Sequence, residues 1–284
     1  MYIFFNYFLS ILTLYCYVLK YITNIMLIVI PVSYSDSNLI DSFSKVLKVF
    51  GPYPNHEILI VSRPYDLKHS LKLLSNIKGL FKKESLHIFN REGIKNWPDG
   101  PNFYWSETIR YLYKQEYEIP WFWMELDTTP IKHNWINDLE FEYNTSNSLY
   151  TGCIEDTPYM ERKGVALPPS KHVVGVAVYP PAYIMGLTIP NLLFVEESGI
   201  AFDVFCQDYT TPKAKQSTIL QHCFRTQKYR RGEDGMLIGE ESVLQRGKEI
   251  NTTKVFAVPV KHSTSIVHGC DDGSLASLIF KENQ

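Results

Sequence analysis

The stretch Pro120–Tyr143, PWFWMELDTTPIKHNWINDLEFEY, decides the fold. Trp121 to Met124, with Ile119 just upstream, form an apolar run that passes straight into Glu125-Leu126-Asp127. The block breaks at Pro130 and resumes as an amphipathic segment from Trp135. An apolar run between breakers reads as a buried central strand. Two carboxylates one residue apart, where that strand runs out, are costly to bury without something positive beside them. A divalent cation meets that need, because hard cations take carboxylate oxygens and bridge to phosphates. The expectation is a metal–diphosphate site at the end of a sheet, acting on a nucleotide-activated substrate.

Working outward, strand and helix patterns alternate. Leu27–Val32 is a continuous apolar run and Ser33–Asn38 a polar turn with capping residues. Leu39–Phe50 carries helical spacing and stops at Gly51-Pro52. Glu57–Val61 predicts a second buried strand, Leu67–Leu80 an amphipathic helix, Ser85–Phe89 a third strand and Phe103–Tyr117 a helix. Such alternation implies βαβ units: an α/β fold with a mostly parallel central sheet and helices on both faces. Ligands of such sheets sit at the carboxyl ends of the strands. The strand-end groups are therefore Ser33-Tyr34-Ser35-Asp36, Ser62-Arg63-Pro64 and Glu125-Leu126-Asp127.

After residue 147 the rhythm changes. Leu149–Cys153 and His172–Tyr179 read as strands, with the polar stretch Glu155–Ser170 between them as a lid or binding loop. Ala201–Tyr209 and Ser217–Arg225 read as helical, Thr226–Asn251 as a mobile loop, and Lys254–Val258 and Ser265–Val267 as short strands. The expected organisation is one domain over 26–284, with a nucleotide-sugar half (26–147) and an acceptor half (148–284).

Composition sets limits. A net charge of -2 gives no support for a surface that coats nucleic acid. The five cysteines include no CxxC pair and are odd in number, which fits reduced thiols in a cytoplasmic setting. Walker-type, GxGxxG, GxSxG and HExxH patterns do not occur. Tyr2–Leu19 is apolar and close to the roughly 20 residues that span a bilayer. Residues 1–25 are thus an extension outside the functional fold, a membrane anchor or a packed helix. Met26 opens a complete first strand without a linker.

With IPVSYSD after the first strand, ILIVSRP after the second, the WFWMELD strand, the TPxxxxW segment and the late VHG, the chain resembles A-type-fold glycosyltransferases of the nucleotide-diphospho-sugar transferase superfamily. The resemblance covers about Met26 to Gly273 and implies a Rossmann-like sheet. It also implies an acid-x-acid motif that holds Mn²⁺ or Mg²⁺ against the diphosphate of a nucleotide-diphospho-sugar donor. A late histidine often completes that coordination. Position 125 is Glu where the usual pattern has Asp, so Asp127 and His268 are the expected metal ligands and Glu125 a ribose or outer contact. His262 is a rival to His268.

The turn residues Tyr34 and Asp36 either meet the nucleotide or cap a helix. Arg63 is expected at base or phosphate, and Asn102, Trp105 and Arg110 are candidates for the pocket lining. If the anomeric centre is inverted, a carboxylate must take the acceptor's proton, and Asp203 and Asp156 are the candidates. A glycan, a lipid-linked sugar or a modified nucleic-acid base would serve as acceptor. Alternatives from other classes are a nucleotidyltransferase on a similar sheet and a non-catalytic carbohydrate-binding relative.

Overall fold

A computed structural model describes residues 25–90, 97–157, 160–162, 165–167, 169–190, 192–223, 226–246, 251–269 and 272–284. The N-terminal segment 1–24 lies outside the described residues. Among the described residues no helix is long and apolar enough to cross a membrane.

The first half builds the expected βαβ units. Strands β1 (Leu27–Val32), β2 (Tyr53–Ser62), β3 (Phe81–Ile88) and β4 (Trp121–Trp123) alternate with helices α1 (Ile40–Phe50), α2 (Leu67–Asn76) and α3 (Asp99–Lys114). Then follow β5 (Thr128–Pro130), α4 (Trp135–Thr145) and β6 (Tyr150–Thr157). Beyond them lie β7 (Met160–Arg162), β8 (Val165–Leu167), β9 (Ser170–Tyr179), β10 (Ala214–Gln216), β11 (Leu220–His222), β12 (Thr226–Arg231), β13 (Leu237–Arg246), β14 (Asn251–Pro259), β15 (Ile266–His268) and helix α5 (Ser274–Glu282).

Among the described residues, seven strands form the central sheet in the order β10-β6-β9-β4-β1-β2-β3. Pairs β1–β2, β2–β3, β1–β4 and β10–β6 are parallel, while β9 runs antiparallel to both β4 and β6. The sheet is buried on both faces, which explains why β1 and β2 read as unbroken apolar runs. Side chains alternate at period two. Ile28, Ile30, Ile58 and Ile60 meet α1, α4 and α5 on one face. Leu27, Val29, Leu59 and Val61 meet α3 and the aromatics Trp121 and Trp123 on the other. Trp121 stacks on Tyr179 at 4.6 Å, tying β4 to β9 where the sheet changes direction.

The second half departs from the sequence expectation at three places. The stretch Glu155–Ser170, expected as a lid or binding loop, carries among its described residues the outer ends of β6 and β9, paired through Thr157↔Ser170, and β7 and β8 as a further antiparallel pair. Ser217–Cys223, the described part of the segment expected as helical to Arg225, is not helical. Glu142 on α4 accepts hydrogen bonds from the Ser217 hydroxyl (2.6 Å), the Thr218 N–H (2.7 Å) and the Thr218 hydroxyl (2.7 Å). The Ser217 Oγ in turn accepts from the Ile219 and Leu220 N–H groups, so those donors are used in a turn rather than a helix. The chain then enters β11. Thr226–Asn251, expected as a loop, carries β12 and β13, which join β14 in a three-stranded antiparallel sheet. The polar composition that suggested a loop suits strands with a solvated face equally well.

Candidate metal and nucleotide site

Sheet pairing assembles the site. Beyond β4, the Met124 N–H still donates to the Val29 carbonyl at 2.9 Å, so the chain leaves the sheet only at Glu125. A turn closed by the Thr128 N–H on the Glu125 carbonyl (2.9 Å) leads into β5. Strand β15 pairs antiparallel with β5, setting His268 opposite Thr128 and hence beside Asp127. On its other side β15 pairs in parallel with β11, setting His222 opposite His268. Gly269 permits this close approach: its φ is +102°, and a Cβ there would lie 2.2 Å from the Cys223 carbonyl oxygen.

Ligand atoms of Glu125, Asp127 and His268 all lie within 4.8 Å of one another. The His268 Nε2 stands 3.5 Å from Glu125 Oε2 and 3.5 Å from Asp127 Oδ2. An ion with bonds of about 2.1–2.4 Å keeps its ligand atoms roughly 3–4.8 Å apart, so two carboxylates and one imidazole here fit a hard or borderline divalent cation. The Trp123 indole N–H donates to Glu125 Oε1 at 3.1 Å. Burial alone would push the Glu125 carboxyl up, but the hydrogen bond and charge of His268, with the Trp123 hydrogen bond, outweigh it and leave it below the usual value. Behind His268, the Nδ1 atoms of His268 and His222 are 2.9 Å apart. Burial, then the neighbouring His268 charge, hold His222 down to about 3, so it is neutral.

These residues form one wall of a cleft of about 570 Å³ at the carboxyl ends of β1, β2 and β4. Ser33, Ser35, Asp36, Arg63, Trp97, Tyr104, Glu125 and Asp127 are among its lining. The size suits a small-molecule ligand. Arg63 is buried: its Nε donates to Asp66 Oδ2 (2.8 Å) and to the Tyr104 hydroxyl oxygen (3.1 Å), and its guanidinium lies 4.3 Å from the centre of the Tyr65 ring. A buried guanidinium at a cleft wall needs a buried counter-charge, and Asp66, which is fully buried, supplies it.

Asp36, Arg63, Glu125 and Asp127 line this cleft, with His268 against the two acids, and other candidates lie elsewhere. Tyr34 projects away, 68% exposed, with its ring against His69. Asn102 is fully buried, and its Nδ2 donates to the carbonyls of Val195 (3.1 Å) and Ile200 (2.7 Å), clipping α3 to the 195–200 turn. Trp105 stacks on Phe202 in the core, and Arg110 pairs with Glu107 and Glu196. His262 is exposed, and its carbonyl accepts from Lys132. Asp156 is exposed opposite Lys171 on the sheet, so the placement does not favour it as a base.

Asp203 comes near. It accepts the Gly175 N–H (3.1 Å) and the Val204 N–H (2.9 Å), and His172 Nε2 is 3.8 Å away. Burial raises its carboxyl, His172 and the backbone donors oppose this, and the Glu125 charge adds to the rise. Sequence reasoning missed His222 and Trp97. His222 sits in the segment read as helical, and only strand pairing with β15 brings it to His268.

Compared with known proteins, no family model matches and no curated protein matches. Similar solved structures include mouse xyloside xylosyltransferase 1, at 11% identity over 70% of this chain and 88% of that chain, with a TM-score of 0.45. The WbbM bifunctional glycosyltransferase is similar at 8% identity, over 71% of this chain and 40% of that one, with a TM-score of 0.47. A 4-diphosphocytidyl-2C-methyl-D-erythritol synthase is similar at 8% identity, over 62% of this chain and 84% of that one, with a TM-score of 0.37. At these identities and scores the likeness carries no argument about reaction or substrate, which must come from the site.

Proposed function

We propose that the protein is a metal-dependent glycosyltransferase that moves a sugar from a nucleotide-diphosphate donor to an acceptor hydroxyl. The observation that carries this reading is the Glu125–Asp127–His268 cluster, whose two acids line a nucleotide-sized cleft at the sheet's carboxyl edge. These three residues would hold Mn²⁺ or Mg²⁺. Such an ion, when bound, supplies Lewis acidity that offsets the charge of a diphosphate leaving group.

The charges of the cleft support a cation there. Among the described residues that line it, Arg63 is the only cationic side chain, and it is already paired with Asp66. Asp36, Glu125 and Asp127 are all carboxylates. A diphosphate approaching this wall alone meets like charge on like charge. Asp36 and Arg63 line the same cleft, where Asp36 would meet the base or ribose and Arg63 the base or a phosphate, with Trp97 as an apolar surface. Asp203 is the proposed proton acceptor for the incoming hydroxyl, since a carboxyl raised by burial sits closer to working pH than a free one. Its fixed backbone donors hold both oxygens in place beside His172. Donor binding is assigned to 26–147 and acceptor binding to 148–284.

The test is release of nucleoside diphosphate from a panel of sugar nucleotides, with Mn²⁺ or EDTA, for the wild type and Asp127→Ala. Turnover that needs metal and disappears in a folded Asp127→Ala protein is expected. A fully active Asp127→Ala protein would overturn the reading, and release of pyrophosphate from a nucleoside triphosphate would instead identify a nucleotidyltransferase.

A further inference from the structure

His268 is held from behind by a second imidazole. Strands β11 and β15 run parallel with His222 opposite His268, and the two Nδ1 atoms stand 2.9 Å apart. Two ring nitrogens at that distance share one proton: one ring donates N–H and the other accepts on a bare nitrogen. The opposite ring atom of His268, Nε2, faces the Glu125 and Asp127 oxygens at 3.5 Å each.

We propose that His222 is the positioning residue of this site, accepting the Nδ1–H of His268 on its own Nδ1 and so holding the His268 Nε2 toward the two carboxylates, where a cation would take the place of the Nε2 proton. The assignment rests on the metal reading above. A neutral imidazole has one proton, so a ring that binds a cation through Nε2 must carry its proton on Nδ1, where His222 takes it. The opposite arrangement, with His222 donating, would leave the His268 proton on Nε2, pointing at the carboxylates and blocking coordination.

Histidine has a physical advantage over the carboxylate that often fills this second position. The cluster already holds two negative side chains, and a third would add charge behind the site. A neutral acceptor fixes the ring without changing the charge that Glu125 and Asp127 present. Its own place is fixed by strand pairing on β11 and by Gly269, whose missing side chain lets β15 and the 223 carbonyl approach.

The substitutions His222→Asn and His222→Leu separate positioning from packing, because Asn Oδ1 falls near the place of Nδ1 and accepts, while Leu fills space without accepting. Mn²⁺ affinity of the full chain is read by electron paramagnetic resonance, and ring protonation by long-range ¹H–¹⁵N correlation at histidine in the metal-free protein. Expected are a 10- to 100-fold weaker Mn²⁺ complex for His222→Leu, within about threefold of wild type for His222→Asn, and a spectrum with His222 unprotonated at Nδ1. A protonated His222 Nδ1, a His222→Leu protein that binds Mn²⁺ as wild type does, or a folded His222→Asn protein as weak as His222→Leu would each overturn the proposal. A wild type that takes up no Mn²⁺ sinks the metal reading instead, and the nitrogen spectrum then still decides the proton's place.

Discussion

Replacing Asp127 by asparagine should move nucleotide affinity in opposite directions with and without metal. Asparagine keeps the shape of the side chain and one carbonyl oxygen, but removes one unit of negative charge from a wall that also carries Asp36 and Glu125. Two unit charges about 4 Å apart interact by about 4 kcal/mol at an effective dielectric near 20, and by about 1 kcal/mol in bulk water. Asp127 is 18% exposed and the cleft opens to solvent, so the relief lies between these limits. Even the lower limit is worth about fivefold in a dissociation constant. In EDTA, UDP, GDP or CDP should therefore bind Asp127→Asn about fivefold more tightly than wild type, or better. With Mn²⁺ the same change removes one of two carboxylate ligands, and affinity should fall about tenfold or more. Calorimetric titration of each diphosphate under both conditions reads both signs. Equal affinity in both conditions, or a loss in both, would show that Asp127 does not face the ligand's charge.

Two further outcomes test the surrounding structure. Asn102→Ala should cost about 1–2 kcal/mol in urea unfolding and leave nucleotide affinity unchanged, because it removes two buried hydrogen bonds to carbonyls that the Ser198 hydroxyl also reaches. Lost affinity at full stability would return Asn102 to the ligand. Glu140 on α4 is buried, and its Oε1 has no hydrogen-bond partner among the described residues. Burial raises its carboxyl above the usual 4.5, so folding favours the protonated form and stability falls as pH climbs from 4.5 through the raised folded value. Glu140→Gln should therefore stabilise the protein more at pH 7 than at pH 4. An identical gain at both pH values would count against a strained carboxylate.

Local pattern served well where the chain makes its own partners. The unbroken apolar runs of β1 and β2 predict strands buried on both sides, and their alternate residues do enter two separate cores. Helix α1 ends at Gly51-Pro52 as expected. The acid pair stood out because Trp121–Met124 is too apolar to end in two carboxylates without a reason. The pattern failed where pairing is non-local. Leu220–His222 has helix-like spacing, yet Glu142 on α4 takes the donors ahead of it and β15 takes its backbone. Asn102 and Tyr34 lie in segments next to the cleft in sequence, but one side chain turns into the α3–turn contact and the other into solvent.

The order of residues by itself established an α/β chain with paired acids at the end of a central strand, since burial, periodicity and the cost of a bare carboxylate are local properties. Only the folded chain decided which histidine meets those acids. Backbone pairing of β15 with β5 and β11 brings His268 to Asp127 and His222 to His268, and hydrogen bonds between strands so distant in sequence leave no mark in the residues on either side.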